Sequence, residues 1–340
     1  MSASFGIGTF SFDAGEPEVG LVLQNEVAQV AKASAVLLSR ASRGDRSLRA
    51  LLERWDDHLP GLQQLADLLS AETERARRLG LLLPMAQVVA LPPIAPTAAV
   101  FCAGANYRTH VEQLSLAAAR NKNAVVDEVQ MRAAVTQWLD LRVRTGRPYV
   151  FLKLARIAVG AGADLVIPRD VTECDFELEL GAVIGRGGYR IERAHALQHV
   201  AGYTICNDVT ARESIMRADS GPLGADWLAG KCAPTFLPIG PMIVPRQHAA
   251  EVGAMRLALR LNGELMQDAC AADLLFDLPA LIAHVSAITP LQPGDVILTG
   301  SPAGNGAHHG RFLKPGDVLD CTISGLGNQR NRCVAEASIQ

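Results

Sequence analysis

The stretch Glu173-Cys174-Asp175-Phe176-Glu177-Leu178-Glu179-Leu180 carries an acid at every odd position and Cys, Phe, Leu and Leu at the even ones. Side chains on a β-strand alternate between faces, so the pattern predicts one strand with four acids on one side and an apolar set on the other. An antiparallel strand with one wet face produces the same alternation. The residues that follow, Gly181-Ala182-Val183-Ile184-Gly185, read instead as buried strand. Acids turned inward on such a strand repel one another, and a hard divalent cation is an economical way to offset that repulsion. The choice between the two readings rests on the rest of the chain.

Working outward, the apolar run Tyr203-Thr204-Ile205-Cys206 ends in Asn207-Asp208. This puts a carboxylate at a strand tip, where a third oxygen ligand is useful; the alternative is an ordinary helix cap, with Glu213 in the first turn. Gly230-Lys231 follows a Trp- and Gly-rich loop. A lysine there either stabilises a developing enolate or lies on the surface. Near the C-terminus, Leu298-Thr299-Gly300-Ser301-Pro302-Ala303-Gly304-Asn305-Gly306 opens from a strand into a loop whose hydroxyl and N–H groups suit a carboxylate. It lacks the Gly-Lys-Ser/Thr of a phosphate-binding loop. His308 and His309 have no third nitrogen or sulfur ligand in view and read as solvated.

From Pro148 onward the chain consists of short apolar runs between Gly, Pro and Asp, with Pro-Gly-Asp-Val turns at 293–296 and 315–318. Many short strands with regular turn signals predict an all-β core rolled into a barrel or curved sheet, with helical interludes at Glu192–His199 and around Ala280–Ala287. Residues 114–147 form a long charged helical pattern, an excursion from that core. The first 97 residues read as a smaller α/β unit. It has short strands around a turn, then helical spacing between Leu48 and Leu83 that Pro60-Gly61 interrupts. The expected division is therefore 1–97 and 98–340.

Composition narrows the class. A net charge of −3 and 5% aromatic residues call for neither nucleic acid nor an anionic membrane. Seven scattered cysteines with no C-x-x-C spacing fit reduced thiols, and no run approaches a membrane span, so a cytoplasmic protein is expected.

Five motifs occur in a fixed order: Asn106-Tyr107-x-x-His110, Asp175-Phe176-Glu177-x-Glu179-Leu180, Asn207-Asp208-Val209-Thr210-Ala211-Arg212, Gly230-Lys231, and Leu298-Thr299-Gly300-Ser301-Pro302-Ala303-Gly304. Together they resemble the fumarylacetoacetate hydrolase family over about residues 98–335, with a looser fit at the N-terminus. The resemblance implies an α+β, mostly β fold, with a rolled mixed sheet or barrel as the catalytic domain and a homodimer as the usual assembly. It implies Mg²⁺ or Mn²⁺ on Glu177, Glu179 and Asp208, with Asp175 behind the ligands. It assigns catalysis to His110, Glu112 and Lys231, and binding of a small oxo acid to Lys153, Arg212, Ser301 and Tyr107. The expected reaction is hydrolysis of a carbon–carbon bond in a 2,4-dioxo acid. The alternative is isomerisation or decarboxylation of an unsaturated oxo-diacid in aromatic catabolism, through the same metal-stabilised enolate. A third reading is a non-catalytic metal-binding scaffold.

The chain departs from the family at one informative place. The usual His-x-x-Glu is here His110-Val111-Glu112-Gln113. If this segment is helical, position i+3 shares the face of His110 and i+2 points away. Gln113 cannot take a proton, so Glu112 must turn in or the water-activating pair is broken. Leucine also replaces the proline expected after Lys153, and Pro234 stands where many members carry aspartate.

Overall fold

The computed structural model describes residues 2–12, 15–39, 47–121, 127–217, 219, 221 and 224–337. The chain begins with strands β1 (Gly6–Ser11), β2 (Pro17–Leu23) and β3 (Glu26–Gln29). Helices α1 (Val30–Leu37), α2 (Leu48–Glu53), α3 (Trp55–Ala71) and α4 (Thr73–Arg78) follow, and then strands β4 (Leu83–Pro84) and β5 (Val89–Leu91). The strands form one antiparallel sheet in the order β4-β3-β2-β1-β5. Contrary to expectation, Pro60 does not interrupt the helix: α3 runs through it, and the breaks come at Arg54 and Glu72. Pro60 is the sixth residue of α3, so the helix forgoes the N–H bond to the Asp56 carbonyl, and burial of Trp55, Leu62, Leu65 and Leu69 holds the two sides together. Trp55 is buried against Gly185 of the larger unit, and an antiparallel bridge joins Ile7 to Ile243. One apolar core runs from Ile7, Leu21 and Trp55 through to Leu180, Ile205 and Val296.

The second part opens with β6 (Ala99–Gly104), a helical hairpin of α5 (Arg108–Asn121) and α6 (Glu128–Thr145), and β7 (Tyr149–Leu154). The excursion expected at 114–147 is therefore this hairpin, and it starts earlier, at Arg108. Short strands β8 (Ala158–Val159), β9 (Leu165–Ile167) and β10 (Cys174–Asp175) lead into β11 (Leu178–Ile184), β12 (Val200–Asn207) and β13 (Thr210–Ala211). Helices α7 (Arg212–Ile215) and α8 (Trp227–Lys231) precede β14 (Leu237–Pro238), β15 (Val244–Pro245), β16 (Arg256–Leu261) and β17 (Glu264–Cys270). The chain closes with α9 (Leu278–Ile288), β18 (Val296–Leu298), the single turn α10 (Gly306–His309), β19 (Val318–Ile323) and β20 (Asn328–Ala335). Both Pro-Gly-Asp-Val turns lead into strands as expected, with Gly294 and Gly316 at φ of +90° and +96°.

Two curled sheets make the core of this α+β fold. One is mixed, in the order β15-β12-β11-β18-β6-β7, with β18 and β6 parallel. The other runs β17-β16-β19-β20-β9 and packs on the first where β11 meets β16. All residues of β11 and β12 are buried, so neither has a wet face. That removes the bland explanation of the acidic alternation.

Candidate active site

The acidic stretch is not one continuous strand. β10 pairs with β13, β11 pairs with β12, and the ladder opens between them at Phe176 and Glu177. Both pairings keep one register, so Glu177 lies across from Asp208. Where strand bonds are missing, side chains take over. Glu177 N donates to Asn207 Oδ1 at 2.9 Å, and Leu178 N donates to Gln267 Oε1 at 3.0 Å. Asp208 N donates to the Glu177 carbonyl at 2.8 Å. Buried backbone groups need such partners, which accounts for an Asn and a buried Gln at these places. Alternation sets Glu179 beside Glu177, and the opened register brings Asp208 opposite. One oxygen of each of the three carboxylates lies within 4.8 Å of the others, and all three residues are buried.

Three cations surround the acids. Lys231 Nζ donates to Glu177 Oε2 at 2.5 Å and also reaches Asp208 Oδ2. Lys153, fully buried, donates to Asp208 Oδ1 and to the Val209 carbonyl. Arg212 spans Asp175 Oδ2, at 2.8 Å, and Glu177 Oε1. Burial raises the Glu177 carboxyl, but the charges of Arg212 and Lys231 outweigh it and hold the group well below the usual carboxylate range. Glu179 is the opposite case. Its only donor among the described residues is Gly300 N, at 2.7 Å, and burial, reinforced by Asp208 and Glu177, pushes its carboxyl well above the ordinary value. A buried carboxylate facing two others and lacking a cation is where a dication fits, and oxygen-only donors suit a hard one.

The C-terminal loop expected to cradle a substrate carboxylate holds the chain's own acids. Gly300 N bonds Glu179, while Gly306 N and Ala307 N bond Asp175 at 2.6 and 3.1 Å. Gly300, at φ +100°, also leaves no room for a side chain, since a Cβ would lie 2.9 Å from that of Asn106. Asp175 thus sits behind Glu177, locking Arg212 in place.

A cavity of about 180 Å³ opens over the acids. His110, Lys231, Arg212 and Ser301 border it with Glu177, Glu179 and Asp208, so most of the nominated residues meet there. Three do not border it. Tyr107 is fully buried and bridged to Leu274, Lys153 lies beneath Asp208, and Glu112 bonds Thr136 Oγ1 of α6 at 3.4 Å. Because 108–121 is helical, Glu112 and His110 face different ways. His110 Nδ1 and Gln113 Oε1 are buried and have no hydrogen-bond partner among the described residues. Burial pushes the His110 imidazole down to about 4, against the pull of Glu177, so it is neutral at pH 7 rather than half-titrated near its ordinary value. Sequence reasoning missed Asn207, Gln267 and the aromatic pair Phe151–Trp227, which stacks at 4.5 Å beside the cavity. Only the i, i+4 spacing of Trp227 and Lys231 hinted at the last. A larger cavity, about 740 Å³, lies by α2 and Asp295 and contains no such acidic cluster.

The model of the fumarylacetoacetate (FAA) hydrolase C-terminal domain matches residues 99–334. The chain belongs to the fumarylacetoacetate hydrolase family. The bovine mitochondrial oxaloacetate tautomerase FAHD2B is 35% identical over 254 residues, which span 74% of this chain and 71% of that one. The structure of a probable 2-hydroxyhepta-2,4-diene-1,7-dioate isomerase from Mycobacterium abscessus superposes with a TM-score of 0.70 at 28% identity, covering 98% of this chain and 100% of that one. A maleylpyruvate hydrolase from Sphingobium sp. SYK-6, solved with manganese(II) and pyruvate, shares the fold, with a TM-score of 0.66 at 22% identity over 98% of this chain and all of that one. The proteins that this chain resembles thus include ones named as a tautomerase, an isomerase and a fumarylacetoacetate hydrolase. Among the described residues, no helix is long and apolar enough to cross a membrane.

Proposed function

We propose that this protein is a divalent-metal-dependent enzyme that enolises a 2-oxo acid, acting as a tautomerase or isomerase. The observation that carries the reading is the position of His110: it borders the carboxylate cluster while Glu112 is held by Thr136 and Gln113 takes the place of a second base. Glu177, Glu179 and Asp208 would hold Mg²⁺ or Mn²⁺, which supplies Lewis-acid polarisation of the substrate's keto oxygen. Lys231, buried between Glu177 and Asp208, adds positive charge at the end of the cavity where enolate charge grows. His110 borders the cavity with a neutral imidazole, which takes the proton from the carbon next to the keto group and returns it to oxygen or to another carbon. Arg212 is fastened to Asp175 and keeps Glu177 ionised.

Hydrolysis of a 2,4-dioxo acid, the reaction the sequence puts first, needs a further base to activate water beside His110. With no carboxylate at position 113 and Glu112 directed to α6, proton transfer alone is the better-supported chemistry. The similarity to an oxaloacetate tautomerase and to a dienedioate isomerase agrees with it. The test is deuterium exchange at C3 of 2-oxo and 2,4-dioxo acids, followed by NMR with Mn²⁺-loaded and chelator-treated protein. Metal-dependent exchange with the carbon skeleton intact is expected. Cleavage into two acids, or loss of CO₂, in place of exchange would overturn it.

A further inference from the structure

Resting on the enolisation reading above, which sets the acid head over the carboxylates, we infer that the substrate's other end is a planar apolar group, aryl or extended unsaturated, rather than a second carboxylate. Two observations lead there. The first is an aromatic wall that starts beside the ionic cluster. Lys231 Nζ lies 5.1 Å from the centroid of Phe151, Phe151 stacks on Trp227 at 4.5 Å with the rings 15° from parallel, and Tyr149 meets Trp227 at 5.8 Å. Strand alternation puts Tyr149 and Phe151 on one face of β7, and the i, i+4 spacing puts Trp227 and Lys231 on one face of α8. Tyr149 is 47% exposed, so the wall runs from the ions to the surface. Because Phe151 and Trp227 are already in contact, they offer a continuous apolar surface rather than a slot between rings. Leu114 of α5 borders the same cavity. Gly104, paired with Tyr149 across the sheet, keeps the ring close: a Cβ there would lie 2.8 Å from its Cδ1.

The second observation concerns charge. The cavity's two cations are each bonded to two carboxylates, Lys231 to Glu177 and Asp208, and Arg212 to Asp175 and Glu177. A substrate carboxylate at the far end would meet the ring faces and Leu114 with no free cation among the described lining residues to pair with it. A planar hydrocarbon placed there loses nothing and gains contact with the rings.

The experiment compares phenylpyruvate with oxaloacetate on the full chain loaded with Mn²⁺, following keto–enol conversion by ultraviolet absorbance. The expected kcat/KM is at least about tenfold higher for phenylpyruvate, in the range that a matched apolar pocket supplies. Two variants then move the ratio. Trp227→Leu thins the wall, and Leu114→Lys, at a half-exposed helix position that tolerates a lysine, adds a cation beside it. Each shifts the ratio about tenfold or more toward oxaloacetate. A wild-type preference for oxaloacetate, or a ratio that neither variant moves, overturns the inference. If neither acid is enolised, the enolisation reading fails on its own. The tail is then decided by calorimetric Kd for the same two acids: tighter phenylpyruvate binding by about tenfold supports it, and equal or reversed affinities overturn it.

Discussion

The floor and the roof of the cavity are built on different rules. On the floor, contributed by β10 to β13 and the Gly300 loop, the charged groups are all bonded, although Thr204 Oγ1 and Asn305 Nδ2 have no partner among the described residues. Glu177 alone meets Arg212, Lys231 and Thr210, and Asp208 meets two lysines. On the roof, contributed by α5, His110 Nδ1 and Gln113 Oε1 are buried with no partner among the described residues. Leaving a buried polar atom unpaired costs about 1–3 kcal/mol, so a fold keeps one where it does work. On the function proposed above, the floor anchors and tunes charge and the roof moves protons.

The sharpest way to break this contrast is at Glu177. Its replacement by alanine leaves Arg212 and Lys231 buried beside a missing partner, and the cost of breaking such a network is about 3–5 kcal/mol. Urea denaturation of Glu177→Ala should show that loss along with lost Mn²⁺ binding. An unchanged midpoint would mean the floor is not the tight network its bonds describe. Glu177 is thus expected to be structural as well as a metal ligand, so Lys153→Met and Lys231→Met belong in the same series.

At the roof the expectation reverses. His110→Gln, which keeps most of the buried volume, should lower turnover by about 10²–10⁴-fold while costing less stability than Glu177→Ala, because no ion pair is broken. A loss of metal affinity as large as the loss of turnover would remove the division of labour.

Glu179 separates metal from proton. Its folded-state carboxyl is raised, so without metal the folded protein holds a proton that the unfolded chain has released above the ordinary carboxylate range. Its contribution to stability is present at low pH and is lost as pH rises toward the folded-state value. A dication displaces that proton, so affinity for Mn²⁺ should rise with pH. Calorimetry in buffers of different ionisation enthalpy should register proton release, and pH-independent binding without release would contradict the assignment.

Two smaller changes sharpen the roof itself. Gln113→Glu restores a carboxylate one helical turn from His110, and product analysis with a 2,4-dioxo acid should then detect cleavage products absent from the wild type. Glu112→Gln touches only the weak bond to Thr136, and should change turnover less than about twofold and stability by less than about 0.5 kcal/mol.

What the residues alone made legible was the local chemistry. Alternation put Glu177 and Glu179 on one face and the Pro-Gly-Asp-Val turns announced β18 and β19, because these are short-range consequences of backbone geometry; at Asn207-Asp208 the residues alone left a ligand and a helix cap as alternatives. Pro60 misled, since the buried leucines that follow it keep α3 continuous despite the lost bond. The aromatic wall stayed hidden because Phe151 and Trp227 meet only when β7 and α8 pack together.

The sequence by itself determined that Glu177 and Glu179 share a face and that position 113 carries no glutamate, both properties of residue type and spacing; Asp208 joined them as a proposed ligand only through the family resemblance. Tertiary structure decided which way each group faces. It sent Glu112 to α6, sank Lys153 under Asp208, spent the Gly300 loop on the chain's own acids and left Glu179 without a counter-charge. Those outcomes depend on long-range burial and pairing, where the free energy of a charge is set by what the rest of the fold brings beside it.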